Sequence, residues 1–296
     1  MATQVNNGAG FEYCTASALL DQYCKDRRVL TLPDTQREAF YLRKTKFELV
    51  KLETALQQQK AALAFAKHLA EGESKGFRDV YKEGKDYNLF VGDDPRAGDV
   101  SDLTIVGGGK RLGISLKWNS DEIKGPRMGP DWFRKFNLSD NGLWESQVRS
   151  LNQKLATYET WAEATADLGR ETIYGTYRDA AIAVLNQNLK NEQFVRSFAV
   201  FNFGKKDYVK VMAMRKGSKL KMGWYDTSKL PTEVVRIVPS DKGPGYFEVL
   251  FNNWLLLFRL HNGDTNIKPH RVSSGIKISV TVESWAGKEP EVIRVD

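Results

Sequence analysis

Asp102 and Lys117 flank two short apolar runs joined by a glycine-rich turn. Asp102 opens Leu103-Thr-Ile-Val106, Gly107-Gly-Gly109 follows, and Leu112-Gly-Ile-Ser-Leu116 delivers Lys117. Two apolar runs about a glycine turn predict a β-hairpin. Antiparallel pairing then sets the first residue of one strand beside the last of the other. A carboxylate beside an ammonium at a strand end is the layout of a metal-dependent phosphodiesterase. The carboxylate holds a divalent cation and the lysine orients the attacking water. The backbone carbonyl of Leu116 can face the same cation from the adjacent strand, and Ser115 can hydrogen-bond a water on it. The same acid–base pair is also a common surface ion pair, so by itself it leaves both readings open. The stretch Gly107-Gly-Gly-Lys110 does not match a nucleotide-binding loop, because Gly-x₄-Gly-Lys-Ser/Thr is absent and a strand, not a helix, follows.

The chain around this pair has 296 residues, 41% hydrophobic and 27% charged, which is globular composition with room for one large or two modest domains. The net charge of +7 favours a polyanionic partner, with nucleic acid ahead of an anionic membrane surface. No apolar run approaches the length of a membrane span, and the first residues lack the features of a secretory signal. Cys14 and Cys24 are too few for a disulfide scaffold, so a cytoplasmic protein is expected. His68, His261 and His270 show no zinc-site spacing, and His68 reads as structural.

Residues 1–78 read as helical, with a short amphipathic piece at Thr15–Tyr23. One long helix is expected from an N-cap at Asp34 to about Leu69. Residues 79–205 carry the strand Tyr87–Val91, the hairpin, a loop over Gly125–Pro130, and helices at 142–168 and 177–189. Residues 206–296 read as a β-rich lobe, with strands expected at 209–215, 220–225, 234–238, 247–251, 254–260 and 277–282. A further strand is expected at Phe198–Phe203. No linker separates these regions, so they are expected to be lobes of one compact unit.

Several blocks carry a family resemblance: Gly98-Asp-Val-Ser-Asp102, then Gly113-Ile-Ser-Leu-Lys117 with Asn119, Lys124, Arg127 and the Asp131-x-Phe133 region. Far downstream come Phe251-Asn-Asn-Trp-Leu-Leu-Leu-Phe-Arg-Leu-His-Asn262, Lys268-Pro-His270 and Lys277-Ile-Ser279. In order and separation these resemble the HaeIII-type restriction endonucleases of the PD-(D/E)XK nuclease superfamily, over most of residues 95–296. The resemblance implies an α/β fold: a restriction-endonuclease-like mixed sheet flanked by helices, with a helical N-terminal region and a β-rich DNA-recognition lobe. It implies a Mg²⁺- or Mn²⁺-dependent type II enzyme that cuts double-stranded DNA at a short GC-rich palindrome, GGCC being the family's nearest guess. A protective DNA methyltransferase and a bacterial or archaeal cytoplasm go with that activity.

On this reading Asp102 binds the cation and Lys117 is the catalytic lysine. DNA contacts are expected from Asn119, Lys124, Arg127, Arg259, His261 and Asn262, and from a phosphate-tracking patch around Arg215 and Lys216. The superfamily motif asks for an acid two residues before the lysine, where this chain has Ser115. Serine is a poor ligand for a hard cation. The second carboxylate is therefore open among Asp99, Asp121 and Glu122 near the motif and a helix-borne Glu48, Glu53 or Glu145. A DNA-binding protein without cleavage, or a repair nuclease of the same superfamily, are the competing readings.

Overall fold

A computed structural model describes residues 2–25, 30–71, 86–92, 101–119, 128–136, 138, 142–214, 217–226, 230–252, 254–285 and 291–295. Along the chain these residues form α1 (Ala2–Lys25), β1 (Leu30–Thr31), α2 (Arg37–Phe47), α3 (Leu52–Ala70), β2 (Tyr87–Val91), β3 (Leu103–Gly107) and β4 (Lys110–Trp118). Then come α4 (Pro130–Arg134), α5 (Leu143–Leu155), α6 (Trp161–Leu168), α7 (Thr176–Asn186) and α8 (Glu192–Phe203). The remainder is β5 (Tyr208–Met214), β6 (Lys219–Tyr225), β7 (Val234–Pro239), β8 (Tyr246–Phe251), β9 (Trp254–Asn262), β10 (Ile276–Trp285) and β11 (Glu291–Arg294). The protein is mixed α/β, and none of these helices is long and apolar enough to cross a membrane.

The chain divides into two units, one of Met1–Asp121, Gly204–Ser228 and Glu289–Asp296, the other of Glu122–Phe203 and Lys229–Lys288. These are not the three successive lobes bounded near 78 and 205 that the sequence suggested. The reason is topological. β4 and β5 pair in parallel, from Gly113 with Tyr208 to Trp118 with Ala213. Parallel neighbours require a crossover, and here the crossover carries the helices α4–α8 of the second unit.

The first unit is built on a seven-stranded mixed sheet, ordered β1-β2-β3-β4-β5-β6-β11. Leu89, Ile105, Leu112, Ile114, Leu116, Val209 and Val211 form one buried core with Phe11, Leu19, Phe65 and Leu69 of α1 and α3. Phe11, Thr15 and Leu19 recur every four residues, so one stripe of α1 is buried. The buried Thr15 hydroxyl is satisfied by the Phe11 carbonyl at 2.8 Å. The single long helix expected from Asp34 is broken into α2 and α3. The break turns Val50 inward, where its methyl lies against Gly10 of α1.

The second unit has a four-stranded antiparallel sheet, β10-β9-β8-β7, and the helices α4–α8. Two expectations are corrected here. The helix expected over 142–168 is two, because Thr160 and Glu163 form a capping box that starts α6. Phe198–Phe203 is helix, not strand. Asn191 Oδ1 caps it by accepting the Phe194 N–H at 3.1 Å, and Phe194, Phe198 and Asn202 fall on one buried face.

Candidate active site

The hairpin forms as its residues demand. β3 and β4 pair from Leu103 with Ile114 to Gly107 with Lys110. Gly108 and Gly109 turn the chain at φ 59° and 78°, the consecutive positive values of a tight hairpin that glycine adopts without strain. At the other end Asp102 N donates to Ile114 O at 2.8 Å. β4 continues past this point along β5 only, and the Asp102 carboxylate takes what β3 no longer covers. Its Oδ2 accepts the Leu116 N–H at 2.5 Å and the Ser115 hydroxyl at 3.3 Å. Lys117 Nζ stands 3.8 Å from the same oxygen. Asp102, Ser115, Leu116 and Lys117 are thus brought together as the sequence predicted. Leu116 makes its contact through its N–H, and Ser115 acts on the carboxylate itself.

Gly113 is what lets the strands close here. A Cβ at Gly113 would lie 2.1 Å from Ser101 Oγ and 3.0 Å from Asp207 O. Ser101 is buried and receives Arg111 Nη2 at 3.4 Å, while Arg111 Nη1 reaches Asp207 O at 3.2 Å. Gly113→Ala is expected to cost about 1–3 kcal/mol of stability through overpacking and to displace Asp102, one residue from Ser101. Urea unfolding measures the first effect and a crystal structure of the variant the second.

A second carboxylate, electrostatically coupled to Asp102 and Lys117, is that of Glu12, a residue that the sequence did not single out. It follows Phe11 on α1, and the Phe11 ring packs 5.3 Å from that of Trp118 at the end of β4. Glu12 Oε2 accepts Arg43 Nε at 2.5 Å, and Arg43 is held on α2 by a second bond to Ala39 O at 3.2 Å. Burial pushes the Glu12 carboxyl up to about 7 and the negative charge of Asp102 adds to the rise, while Arg43 and Lys117 pull it down. A carboxyl raised to neutrality and electrostatically linked to an Asp–Lys pair makes this place a functional-site candidate. Glu48, by contrast, lies exposed at the end of α2, and Glu53 and Glu145 are exposed on α3 and α5. Among the described residues, no group of three or more His, Cys, Asp or Glu side chains is placed to hold a metal ion.

Around the pair the sheet is polar and buried. On β5, Lys210 is in register with Ser115 and Tyr208 with Gly113, and both side chains are buried. The Tyr208 ring stacks on Tyr225 at 4.8 Å. Burial, with smaller contributions from Tyr225 and Asp102, holds the Tyr208 hydroxyl well above its ordinary value, so it stays protonated. Trp118 packs into the fold, against Phe11 and close over Gly217. Asn119 takes a left-handed φ of 51°, a backbone that asparagine tolerates. Burial raises the Cys14 thiol to about 12, which removes it from nucleophilic chemistry.

Arg259, His261 and Asn262 belong to the second unit. Arg259 and His261 share a face of β9 and register with Ser279 and Lys277 of β10. His261 is anchored, with Nε2 2.9 Å from Ser279 Oγ and Nδ1 3.1 Å from Asn262 O. The Asn262 amide is engaged within its unit, accepting Tyr174 Oη at 3.4 Å and donating to Asp264 O at 3.2 Å. Arg259 is exposed. His68 lies 3.1 Å from Glu291 Oε1 within the first unit, in a structural position. Asp99, Asp121, Glu122, Lys124, Arg127, Arg215 and Lys216 lie outside the described residues. Compared with protein families and with curated proteins, the chain matches none.

Proposed function

We propose that the chain is a metal-dependent DNA endonuclease, a type II restriction enzyme of the HaeIII type with a PD-(D/E)XK-like core. The observation that carries this reading is the gathering of Asp102, Lys117 and Glu12, from a strand entry, a strand end and a helix. Ser115 lacks the charge that the superfamily motif asks for, and Glu12 supplies a carboxylate from elsewhere in the fold. The double-stranded DNA partner rests on the net charge of +7 and on the cationic β9–β10 face. The GC-rich palindrome, the partner methyltransferase and the bacterial or archaeal cytoplasm rest on the sequence resemblance alone.

The donor set fits a hard divalent cation, Mg²⁺ or Mn²⁺, because carboxylate oxygens are the ligands such ions prefer. Asp102 and Glu12 would hold it, with the Leu116 carbonyl as a third oxygen. When bound, it supplies neutralisation of the phosphate charge and polarisation of the scissile bond. The chain's own groups do the positioning. The Leu116 N–H and the Ser115 hydroxyl fix the Asp102 carboxylate. Arg43 of α2 holds Glu12 of α1 and favours its ionised form. Lys117 presents its ammonium to the scissile phosphate and to the incoming water, favouring the hydroxide-like form that attacks phosphorus. The water's proton passes to solvent as its oxygen bonds to phosphorus, the P–O bond to the 3′-oxygen breaks, and that oxygen takes a proton from solvent.

Digestion of a fully sequenced plasmid with Mg²⁺, against a chelator control and with the ends mapped, tests the reading. Discrete fragments that share one short sequence at their ends are expected with Mg²⁺ only. A smear indicates a nuclease without site preference. Intact plasmid that is retarded on a gel indicates a DNA-binding protein in which Ser115 marks a lost site.

A further inference from the structure

Ten large apolar side chains stand exposed among the described residues, and six of them fall between Tyr41 and Leu63. Such a concentration marks a contact surface, since single exposed apolar residues are ordinary but clusters are not. Its centre is α3. One face of that helix is already used: Ala55, Gln58, Ala62, Phe65 and Leu69 are buried, and the small residues among them let α1 lie close. The adjoining face presents Leu52 at 75%, Leu56 at 52% and Leu63 at 54% exposure. Leu52, Leu56, Gln59 and Leu63 succeed one another at four, three and four residues, the spacing of a coiled-coil seam. The helix thus has a second apolar stripe, and the chain's own core does not fill it.

The charges beside this stripe select its partner. Glu53, Lys60 and Lys67 recur every seven residues along one border, while the other border is closed by the buried Ala55 and Ala62. A parallel partner helix would meet this charged border with its own alanine border and gain nothing. An antiparallel copy meets it with the same charged border. Leu52 then packs against the partner subunit's Leu63 at both ends, and Glu53 falls between the partner subunit's Lys60 and the partner subunit's Lys67. The face is self-complementary under two-fold rotation, as an isologous interface must be. Its apolar area is on the order of several hundred Å² per subunit, below the roughly 800 Å² of a standard interface, which suits a dimer that dissociates on dilution.

We propose that α3 pairs antiparallel with α3 of a second copy of this chain, making the protein a two-fold dimer. The inference stands whether or not the chain cleaves DNA. Sedimentation velocity from about 1 to 100 µM tests it. The wild-type chain is expected at twice 33.5 kDa in the upper part of that range. Leu56→Glu, and separately the pair Leu52→Gln and Leu63→Gln, are expected at the monomer mass with unchanged circular dichroism, since these side chains are exposed and leave the core intact. Glu53→Lys should weaken the dimer, and adding Lys60→Glu and Lys67→Glu to it should restore the dimer, which a merely greasy patch would not do. A wild-type chain that remains monomeric throughout, or a Leu56→Glu variant that still dimerises, overturns the proposal.

Discussion

Asp102→Asn and Lys117→Ala are each expected to lose DNA cleavage by at least about 10³-fold, the scale seen when a group acting on transition-state charge is removed, with DNA affinity nearly unchanged. The choice of asparagine matters. Asp102 has a structural duty as well, because its Oδ2 closes the Leu116 N–H at 2.5 Å at the point where β3 leaves β4. Alanine would strip that acceptor and leave a part-buried donor unmet, at a cost of about 1–3 kcal/mol. A lost activity would then be confounded with a loosened strand. Asparagine keeps an oxygen for Leu116 and for Ser115 and removes only the charge, which is what a divalent cation needs. Lys117 is about one-quarter exposed and its ammonium stands 3.8 Å from Asp102, a distance that contributes little to stability at a solvated site. Lys117→Ala should therefore unfold at nearly the wild-type denaturant midpoint. Full turnover in either variant, with the fold intact, would place the chemistry elsewhere.

The hairpin was legible because every level agreed. The apolar runs, the consecutive glycines and the charged ends all specify one register, and β3 and β4 adopt it. The strands of the β-rich part were legible for the same reason. Phe198–Phe203 was not, since a short apolar run has no period of its own and the cap that settles it, Asn191, lies seven residues earlier. The unit boundaries were hidden because parallel pairing of β4 with β5 leaves no local mark, and that pairing leaves residues 122–203 outside the first unit, in the second with residues 229–288. The site divides along the same line. Asp102, Ser115 and Lys117 lie within sixteen residues and could be read together. Glu12 is ninety residues from Asp102 and precedes Thr15, where the amphipathic pattern legible in the sequence begins. The signal lay in the backward extension of the buried stripe from Leu19 and Thr15 to Phe11, which puts residue 12 on a helix beside β4.

Glu12→Gln is the second substitution with a large expected effect, and its pH dependence distinguishes a ligand from a buried bystander. The folded protein raises the Glu12 carboxyl from 4.5 to about 7, chiefly by burial and secondarily through Asp102. The folded state therefore binds this proton more tightly than the unfolded chain. Its contribution to stability is fully present below the unfolded value and is lost as pH rises through the folded one. Between about pH 5 and pH 8 the wild type should lose up to about 3 kcal/mol of unfolding free energy on this account, and Glu12→Gln should lack that part of the decline. Urea unfolding of both proteins at the two pH values measures the difference. Cleavage should move the opposite way, because only the ionised carboxylate can hold a cation. Wild-type activity is expected to rise through an acid limb near pH 7. Glu12→Gln should be down by about 10²-fold or more at the plateau, consistent with the loss of one charged ligand. The decisive variable is the cation concentration. Proton and cation compete for one carboxylate, so raising Mg²⁺ should shift the acid limb to lower pH. An acid limb indifferent to Mg²⁺ would mean that Glu12 serves the fold through Arg43 and not the chemistry. Arg43→Ala should displace the limb upward, because the guanidinium at 2.5 Å is what keeps a carboxyl this buried from rising further.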